Sequence, residues 1–266
     1  MTLPFPQLKR NQQRGSSPRC HLLTHGSKQD VAARLTALAA PYAYVSPTDH
    51  WMPEGFYNVD EAQLHHAHRL LPDNIRSQLR YWWLAYSATT PNWDIASTCI
   101  IEGEPGLLLV EAKAHAQELL KETVGQKLDP SASPNSRKTH GQIGWAIENA
   151  NLGLAAETSL PWRLSRDHHY QMSNRFAWAW KLTDLGCPVV LVYLGFLDAQ
   201  DMIEGSPIID AAHWTQLVMD HSKPLFPPKV WNTRREFKYR TLTPLIRSLN
   251  LPLTSQTFAN PLVETS

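Results

Sequence analysis

The stretch from Pro91 to Lys113 decides the fold, and its sequence is PNWDIASTCIIEGEPGLLLVEAK. Ile95–Ile101 is rich in β-branched residues, and Leu107–Val110 is an apolar run of strand length. The residues between them, 102–106, include two glycines and a proline, which are turn formers. Two short strands joined by such a cluster predict a β-hairpin.

Charged residues occupy the two ends of this hairpin that the turn does not join. Asp94 precedes the first strand, and Glu111 and Lys113 end the second. Side chains alternate between the faces of a strand, so Glu111 and Lys113 lie on one face. A two-residue turn at Glu102-Gly103 places Asp94 directly opposite Glu111. Other even loop lengths keep Asp94 on that face, and an odd length without a bulge turns it away.

Two carboxylates and one ammonium at the edge of a sheet can bind a divalent cation beside a scissile phosphate. Hard cations such as Mg²⁺ bind carboxylate oxygens and complete their shell with water and phosphate. The alternative interpretation is an ordinary ion pair at a solvated strand end. Short acid-x-Lys triplets also occur by chance, as Glu236-Phe237-Lys238 does in this chain of 24 acidic residues.

The pattern of Asp94 followed by Glu111-Ala112-Lys113 on the next strand resembles the PD-(D/E)XK nuclease superfamily. The resemblance implies an α/β, restriction-endonuclease-like fold with a three-layer core. In that core a central mixed sheet is flanked by helices in the order α-β-β-β-α-β. Asn92 stands where many members carry the first acid of the motif, so the resemblance depends on Asp94. It implies a nuclease that hydrolyses phosphodiester bonds of DNA, with RNA as the second choice.

The resemblance also implies roles for the residues of the motif. Asp94 and Glu111 would ligate Mg²⁺, for which Mn²⁺ would substitute, together with the backbone carbonyl of Ala112. Lys113 would position or deprotonate the attacking water and neutralise charge on the phosphoryl oxygens. We therefore predict that Lys113→Ala abolishes cleavage and leaves the fold intact, since a lysine at the rim contributes little packing.

A second pair of candidate site residues lies on the helix predicted at 167–185. Gln171 resembles a glutamine that RecB-type members carry near the active site, and it would hold substrate or water. Arg175 lies four residues later on the same helical face. Arg175 replaces the tyrosine common in those members and is predicted to contact nucleic acid. A polar stripe on the helix is the alternative.

Other segments predict the rest of the domain. Residues 188–196 form a near-continuous apolar run, as in a strand buried inside a sheet. Residues 129–139 predict a polar loop. Further helices are predicted at 29–40, 58–71, 73–86 and 142–157, and Glu61 would lie in the first turn of the second of these, where it favours the helix dipole. We predict a mobile polar arm over 1–28, a nuclease-like domain over 29–224, and a Pro-rich C-terminal extension packed on the core over 225–266.

The C-terminal part of the chain contains a basic cluster. Aromatic residues alternate with the basic ones there, which favours contact with phosphates and bases. A solvated surface anchored by the aromatic residues is the alternative. The predicted nucleic-acid contacts in this cluster are Arg234, Arg235, Lys238 and Arg240.

Composition excludes several classes of protein. The chain is 42% hydrophobic, which is globular, and it lacks both an apolar run of ~18 residues and a secretory signal, so we expect a cytoplasmic protein with no membrane partner. Three well-separated cysteines do not form a disulfide framework. A net charge of +1 gives no general basic field, so nucleic acid, DNA first, is predicted from the motif alone. A homodimer or a partner protein stays open, as does a catalytically inactive scaffold that binds nucleic acid or assembles with a partner.

Overall fold

The computed structural model describes residue 8, residues 12–84 and residues 90–253. The strands are β1 Trp51–Met52, β2 Ala62–Gln63, β3 Asn92–Trp93, β4 Ile95–Ile101, β5 Glu104–Lys113, β6 Val189–Leu197, β7 Arg235–Glu236 and β8 Thr241–Asn250. The helices are α1 Ser16–Leu23, α2 Lys28–Ala39, α3 Asp73–Trp83, α4 Ala116–Lys121, α5 Pro134–Thr158, α6 Tyr170–Asp184 and α7 Ala211–Ser222. This is an α/β fold.

The central sheet is mixed and has six strands in the order β1-β4-β5-β6-β8-β7. Strand β4 pairs antiparallel with β1 and with β5. Strand β6 pairs parallel with β5 and with β8. Strand β7 pairs antiparallel with β8, and β2 pairs with β3 in a separate two-stranded sheet. The carboxyl ends of β5 and β6 therefore meet at one edge, which is where Glu111 and Lys113 lie.

A two-residue turn fixes the register of the β4–β5 hairpin. Glu102 and Gly103 have φ values of 53° and 84°, the left-handed pair that a type I′ turn needs. Pairing starts at Ile101 opposite Glu104 and continues to Ile95 opposite Val110. The hairpin and its two-residue turn are confirmed.

Helices cover both faces of the sheet. Along β5, Leu107 and Leu109 pack into a core with α3, α5, α6 and α7, whereas Leu108 and Val110 pack into a second core with α1 and α2. Burial on both faces explains the nearly continuous apolar runs of β5 and of β6, the strand predicted over 188–196. The face that carries Leu107 and Leu109 also carries Glu111, because strand side chains alternate.

The predicted polar arm over 1–28 is wrong for its second half. Residues 16–23 form helix α1, which is packed against the sheet. The side chain of Arg19 is 1% exposed and forms an ion pair of 2.5 Å with Asp201, about 180 residues later. A buried charge held by a distant partner gives no apolar pattern, so the segment appears polar in the sequence. Residues 1–7 and 9–11 lie outside the described residues.

The predicted C-terminal extension over 225–266 is corrected as well. Strand β8 lies inside the central sheet, between β6 and β7, so the boundary predicted at 224 falls within the fold. Pro244 lies in this strand, and a proline within an apolar run argues against a central strand. Residues 254–266 lie outside the described part of the chain.

The helix predicted over 58–71 does not form. The segment contains β2 and a series of turns. The side chain of Asn58 accepts the backbone N–H of Asp60 at 3.2 Å, so the residue expected to cap a helix closes a local turn. Glu61 therefore serves no helix dipole.

Other helix boundaries shift. The side chain of Ser133 accepts the backbone N–H of Ser136, so α5 starts at Pro134 rather than at 142 and shortens the loop predicted over 129–139. Helix α6 starts at Tyr170 instead of 167. Helix α2 matches the prediction over 29–40. Helix α3 starts at Asp73 as predicted but ends at Trp83 rather than at 86, because the backbone of Leu84 is extended; residues 85 and 86 are not described. Among the helices of the described residues, none has both the length and the apolar character that crossing a bilayer requires.

Two glycines of α5 test the packing between α5 and α6. A Cβ atom at Gly153 would lie 2.2 Å from Cζ2 of the buried Trp180, whereas one at Gly141 would meet no atom within 4 Å. We expect Gly153→Ala to lower the free energy of unfolding by about 1–3 kcal/mol, because the indole must move. Gly141→Ala should raise it by about 0.5–1 kcal/mol, because alanine is the better helix former. Urea unfolding measures both, and a stabilising Gly153→Ala would contradict the close contact.

Candidate active site

Asp94 and Glu111 face each other at the open end of the hairpin. The register that pairs Ile95 with Val110 puts Asp94 one residue further on, opposite Glu111 and on the same face of the sheet. Oδ2 of Asp94 accepts the backbone N–H of Ala112 at 2.7 Å, which fixes the carboxylate beside β5. Asp94 is half-buried and Glu111 is fully buried.

The carboxylate of Glu111 is the centre of a dense network. Its Oε1 accepts hydrogen bonds from Nζ of Lys113 and Nε2 of Gln171. Its Oε2 accepts Nε of Arg175 at 2.5 Å. The partners come from β5 itself and from α6, so Glu111 joins the sheet to the helix that covers it. Charged and amide donors of this kind are what a buried carboxylate needs.

Arg175 is not the surface contact that the sequence predicts. Its side chain is 6% exposed. The guanidinium donates to the backbone carbonyl of Asn92 at 2.7 Å and to the side chain of Asn174 at 3.0 Å. It also lies over the ring of Trp93, 4.7 Å from the centroid. Arg175 is therefore a largely buried counter-charge for Glu111, and its contact with nucleic acid stays a prediction.

A second buried acid, Glu122, contacts Lys113 and was not predicted. Glu122 follows the last residue of α4, and its Oε1 lies 2.6 Å from Nζ of Lys113. Its Oε2 lies 4.0 Å from Nε2 of His221, on α7. His221 in turn packs against the ring of His169, at a centroid distance of 4.7 Å. Lys113 is thus held between two carboxylates.

Burial and charge shift the pKa values of these groups in different directions. Burial and the charge of Glu111 raise the pKa of Asp94 well above its ordinary value. Burial opposes ionisation of Glu111 too, but Arg175 and Lys113 outweigh it and lower the pKa of Glu111. Burial raises the pKa of Glu122 to about 7. For Lys113, the charges of Glu111 and Glu122 outweigh burial and raise the pKa, so its ammonium stays charged.

The site opens to solvent through two clefts. A cleft of about 690 Å³ is lined by Asp94, Glu61, Gln171 and the exposed edge of Arg175, among others. A smaller one of about 380 Å³ reaches Lys113 and Glu122 from the other side of Gln171. A solvent-borne ligand can therefore approach Asp94 and Lys113 by separate openings.

Glu61 lies in the first cleft instead of on a helix. Its Oε2 accepts Nδ2 of Asn92 at 2.9 Å. Glu61 and Asn92 also line a neighbouring cleft of about 710 Å³. Glu61 thus lies in the same cleft as Asp94, on the segment that was predicted to be a helix.

The C-terminal basic cluster lies away from this site. Arg234 pairs with Glu102 at 2.6 Å, and Arg240 lies 3.6 Å from Glu104. Those acids belong to the turn end of the hairpin, seven residues or roughly 23 Å along β5 from Glu111 at ~3.3 Å per residue. Arg235 donates to the carbonyl of Lys229, and the amide of Lys238 donates to Glu157. These residues therefore lie apart from Asp94 and Glu111, and their contact with nucleic acid stays a prediction.

The residues present can accommodate a divalent cation. A carboxylate has about four acceptor positions. Three donors from the described residues occupy Glu111, and one occupies Asp94, so both retain acceptor positions. In the described part of the chain, no group of three or more His, Cys, Asp and Glu residues could hold a metal by itself. A cation here would need water and phosphate oxygens to complete its shell, as Mg²⁺ usually does.

Comparisons of the chain with protein-family models, with curated proteins and with solved structures give no match. The site is therefore described by its geometry. The structure places Asp94, Glu111, Lys113 and Gln171 close together, as predicted from the sequence. The sequence contained no signal for Glu122 or His221. These two residues follow Glu111 by 11 and 110 positions and belong to no spacing pattern.

Removing Arg175 tests the network around Glu111. We expect Arg175→Met to lower the free energy of unfolding by about 3–5 kcal/mol, because it leaves a buried carboxylate short of a counter-charge. The matched control is Arg240→Met, which removes an exposed pair and should change stability by no more than about 1 kcal/mol. Chemical denaturation of the three proteins provides the comparison. Equal small effects would contradict the buried pair.

The substitution that tests the role of Lys113 has to be changed. It is 6% exposed and pairs with two acids, so the prediction that Lys113→Ala leaves the fold untouched does not hold for a residue at this depth. Lys113→Met keeps most of the side-chain volume and is the better substitution. Its stability has to be measured beside any assay of activity.

The raised pKa of Glu122 predicts a pH dependence of stability. Its pKa of about 7 in the folded protein exceeds the ordinary 4.5, so the folded state binds more protons than the unfolded state between these values. Stability therefore falls as pH rises through this range. In EDTA, we expect wild type to lose on the order of 2 kcal/mol relative to Glu122→Gln between about pH 5 and pH 8. Urea titrations at several pH values measure this loss, and parallel pH profiles would contradict it.

Proposed function

We propose that this chain is a metal-dependent nuclease that hydrolyses phosphodiester bonds of DNA, with RNA as the second substrate. One observation carries the proposal. The carboxylates of Asp94 and Glu111 and the ammonium of Lys113 meet at the open end of paired strands, beside a cleft of about 690 Å³. Two acids and one lysine in this arrangement suit phosphoryl transfer, where positioning and charge stabilisation supply most of the catalysis.

Mg²⁺ or Mn²⁺ would be held by the carboxylates of Asp94 and Glu111 and by the backbone carbonyl of Ala112. The cation would supply charge neutralisation and a lowered pKa for the attacking water. Lys113 remains charged, which favours a role in stabilising negative charge on the phosphoryl oxygens over a role as general base. Gln171 holds Oε1 of Glu111, so it orients that carboxylate.

The order of elements supports the proposal. The expected order α-β-β-β-α-β is followed by helices α1 and α2, the antiparallel strands β1, β4 and β5, helices α5 and α6, and the parallel strand β6. This order counts α3, α4 and the separate sheet of β2 and β3 as additions. Asp94 directly precedes the second of these strands, and Glu111 lies on the third. That placement is the one expected of a restriction-endonuclease-like core.

The test is cleavage of labelled single- and double-stranded DNA and RNA with and without Mg²⁺ or Mn²⁺. We expect cleavage only with metal, and a loss of roughly a hundredfold or more in Asp94→Asn, since outer-shell changes alone cost 10–100-fold. Asp220→Asn, which changes an exposed acid on α7, should cleave like wild type. Equal activity of the Asp94→Asn and wild-type proteins, or cleavage in EDTA, would refute the proposal.

One observation favours a second function, an inactive nuclease-like scaffold. Arg175 and Lys113 already neutralise the negative charge of Glu111 without a metal, so the cluster is balanced as it stands. A fold of this type can lose its chemistry and keep a binding role.

Thermal unfolding with and without Mg²⁺ separates these two functions. A nuclease should gain about 2.7 kcal/mol from Mg²⁺ at 100 times its Kd. A scaffold should gain nothing. In a scaffold, Arg175→Met should create metal-dependent stabilisation, because it exposes the charge of Glu111 to the cation. Metal stabilisation of wild type together with metal-dependent cleavage would exclude the scaffold.

A further inference from the structure

Two aromatic side chains near the site are exposed to solvent. Tyr81, on α3, is 80% exposed, and Trp145, on α5, is 56% exposed. Together with Trp82 and Gln142 they line a groove of about 460 Å³. Tyr and Trp are enriched at binding interfaces, because each combines a large apolar ring with a polar group. A groove with two exposed rings is a binding feature more often than a packing one.

The base of this groove is held in place by hydrogen bonds. The indole N–H of Trp82 donates to Oδ1 of Asn149 at 3.3 Å, and Nε2 of Gln142 donates to the carbonyl of Trp82 at 2.7 Å. These bonds tie α3 to α5 on both sides of the groove. The exposed rings therefore project from a rigid surface, which reduces the entropy that a ligand must overcome on binding.

The groove adjoins the candidate active site through α5. Gln142 lines the groove, and the next residue, Ile143, lines the cleft that contains Asp94. Ile143 and Thr139 also line a third cleft of about 530 Å³ at the start of α5. The cleft at Asp94 and the third cleft share Gln126, Thr139 and Ile143, and the aromatic groove begins at the neighbouring residue of α5, Gln142.

This end of α5 is basic. Lys127, Arg137 and Lys138 are exposed here, and Lys127 lines the third cleft, whose lining contains one acid, Asp129. Lys138 lies one helical turn before Gln142, on the same face as the groove. Positive charge therefore lies beside both the aromatic groove and the cleft of the candidate active site. The whole chain has a net charge of only +1, so the positive charge at this end of α5 is local.

We propose that this surface of α3 and α5 binds a single-stranded nucleic acid. Its phosphates contact Lys127 and Lys138, and a base stacks on Trp145 and Tyr81. The inference rests on the proposed function, for which it names the substrate class. Rings that stand out from a surface can stack on the free face of an unpaired base, whereas the bases of a duplex stack on each other. The groove is framed by only four residues, which suits a base better than a protein partner whose interface buries ~1,000 Å² or more.

The test uses fluorescein-labelled dT20 and a matched 20-bp duplex, with fluorescence anisotropy in EDTA so that no cleavage occurs. We expect wild type to bind dT20 more tightly than the duplex. Trp145→Ala and Tyr81→Ala should each weaken binding of dT20 by roughly tenfold. The double variant Lys127→Gln/Lys138→Gln should lower the slope of log Kd against log salt by about 1.4, since each phosphate contact on a single strand contributes ~0.7. Circular dichroism checks that the variants are folded.

Two variants serve as matched controls. Leu152→Ser changes another exposed apolar residue of α5, two turns beyond Trp145, and should bind dT20 like wild type. Lys28→Gln removes an exposed charge from α2, which does not line the groove, and should leave the salt slope unchanged. A Trp145→Ala protein that binds dT20 as wild type does would overturn the proposal. So would a loss of binding confined to the two control variants, or a wild-type protein that does not bind dT20 and becomes monomeric on Trp145→Ala.

Binding and cleavage fail separately. Wild type that binds dT20 through the two rings but cleaves nothing with Mg²⁺ or Mn²⁺ refutes the nuclease and supports the surface. Wild type that cleaves with metal, while both ring variants bind and cleave like it, refutes the surface and supports the nuclease.

Discussion

The burial of one carboxylate, that of Glu111, constrains much of this structure. A charge at this depth is tolerated only when hydrogen-bond donors surround it, because desolvation of an isolated ion costs far more than a typical domain's stability. Strand β5 supplies Lys113, and α6 supplies Gln171 and Arg175. Helix α6 must therefore lie across the end of β5. Arg175 extends the same network to the carbonyl of Asn92, before β4.

The same network determines how the proposed chemistry can operate. Three acids, Asp94, Glu111 and Glu122, face two permanent cations, Lys113 and Arg175. Glu122 has a pKa of about 7, so near neutrality the cluster is balanced or slightly negative. A balanced cluster can form without a metal ion. An incoming cation would add to the positive charge of Arg175 and Lys113 beside Glu111. Whether metal binding requires the removal of Arg175 therefore distinguishes a nuclease from a scaffold.

Local patterns in the sequence predicted the hairpin, its register and strand β6 well, because a type I′ turn at Glu102-Gly103 and continuous apolar runs leave few alternatives. Elsewhere the predictions were wrong where non-local interactions determine the structure. Helix α1 is held by the pair of Arg19 with the distant Asp201, and β8 contains a proline that local rules place outside a sheet. The partner Glu122 had no pattern at all. Local rules therefore predicted the positions of the motif residues. Their partners Glu122 and His221 were identified only from the structure.

Helix α5 links the core to the surface proposed to bind nucleic acid. Its inner face has small residues, Ala146, Ala150 and Gly153, which allow α6 to approach closely. The approach is close enough that Gly153 touches the ring of Trp180. Helix α6 holds the side chains that fix Glu111, while the outer face of α5 displays Trp145. In the proposed complex, a base on that outer face and a phosphodiester at Asp94 would therefore share one rigid support, which depends on the small residues inside α5.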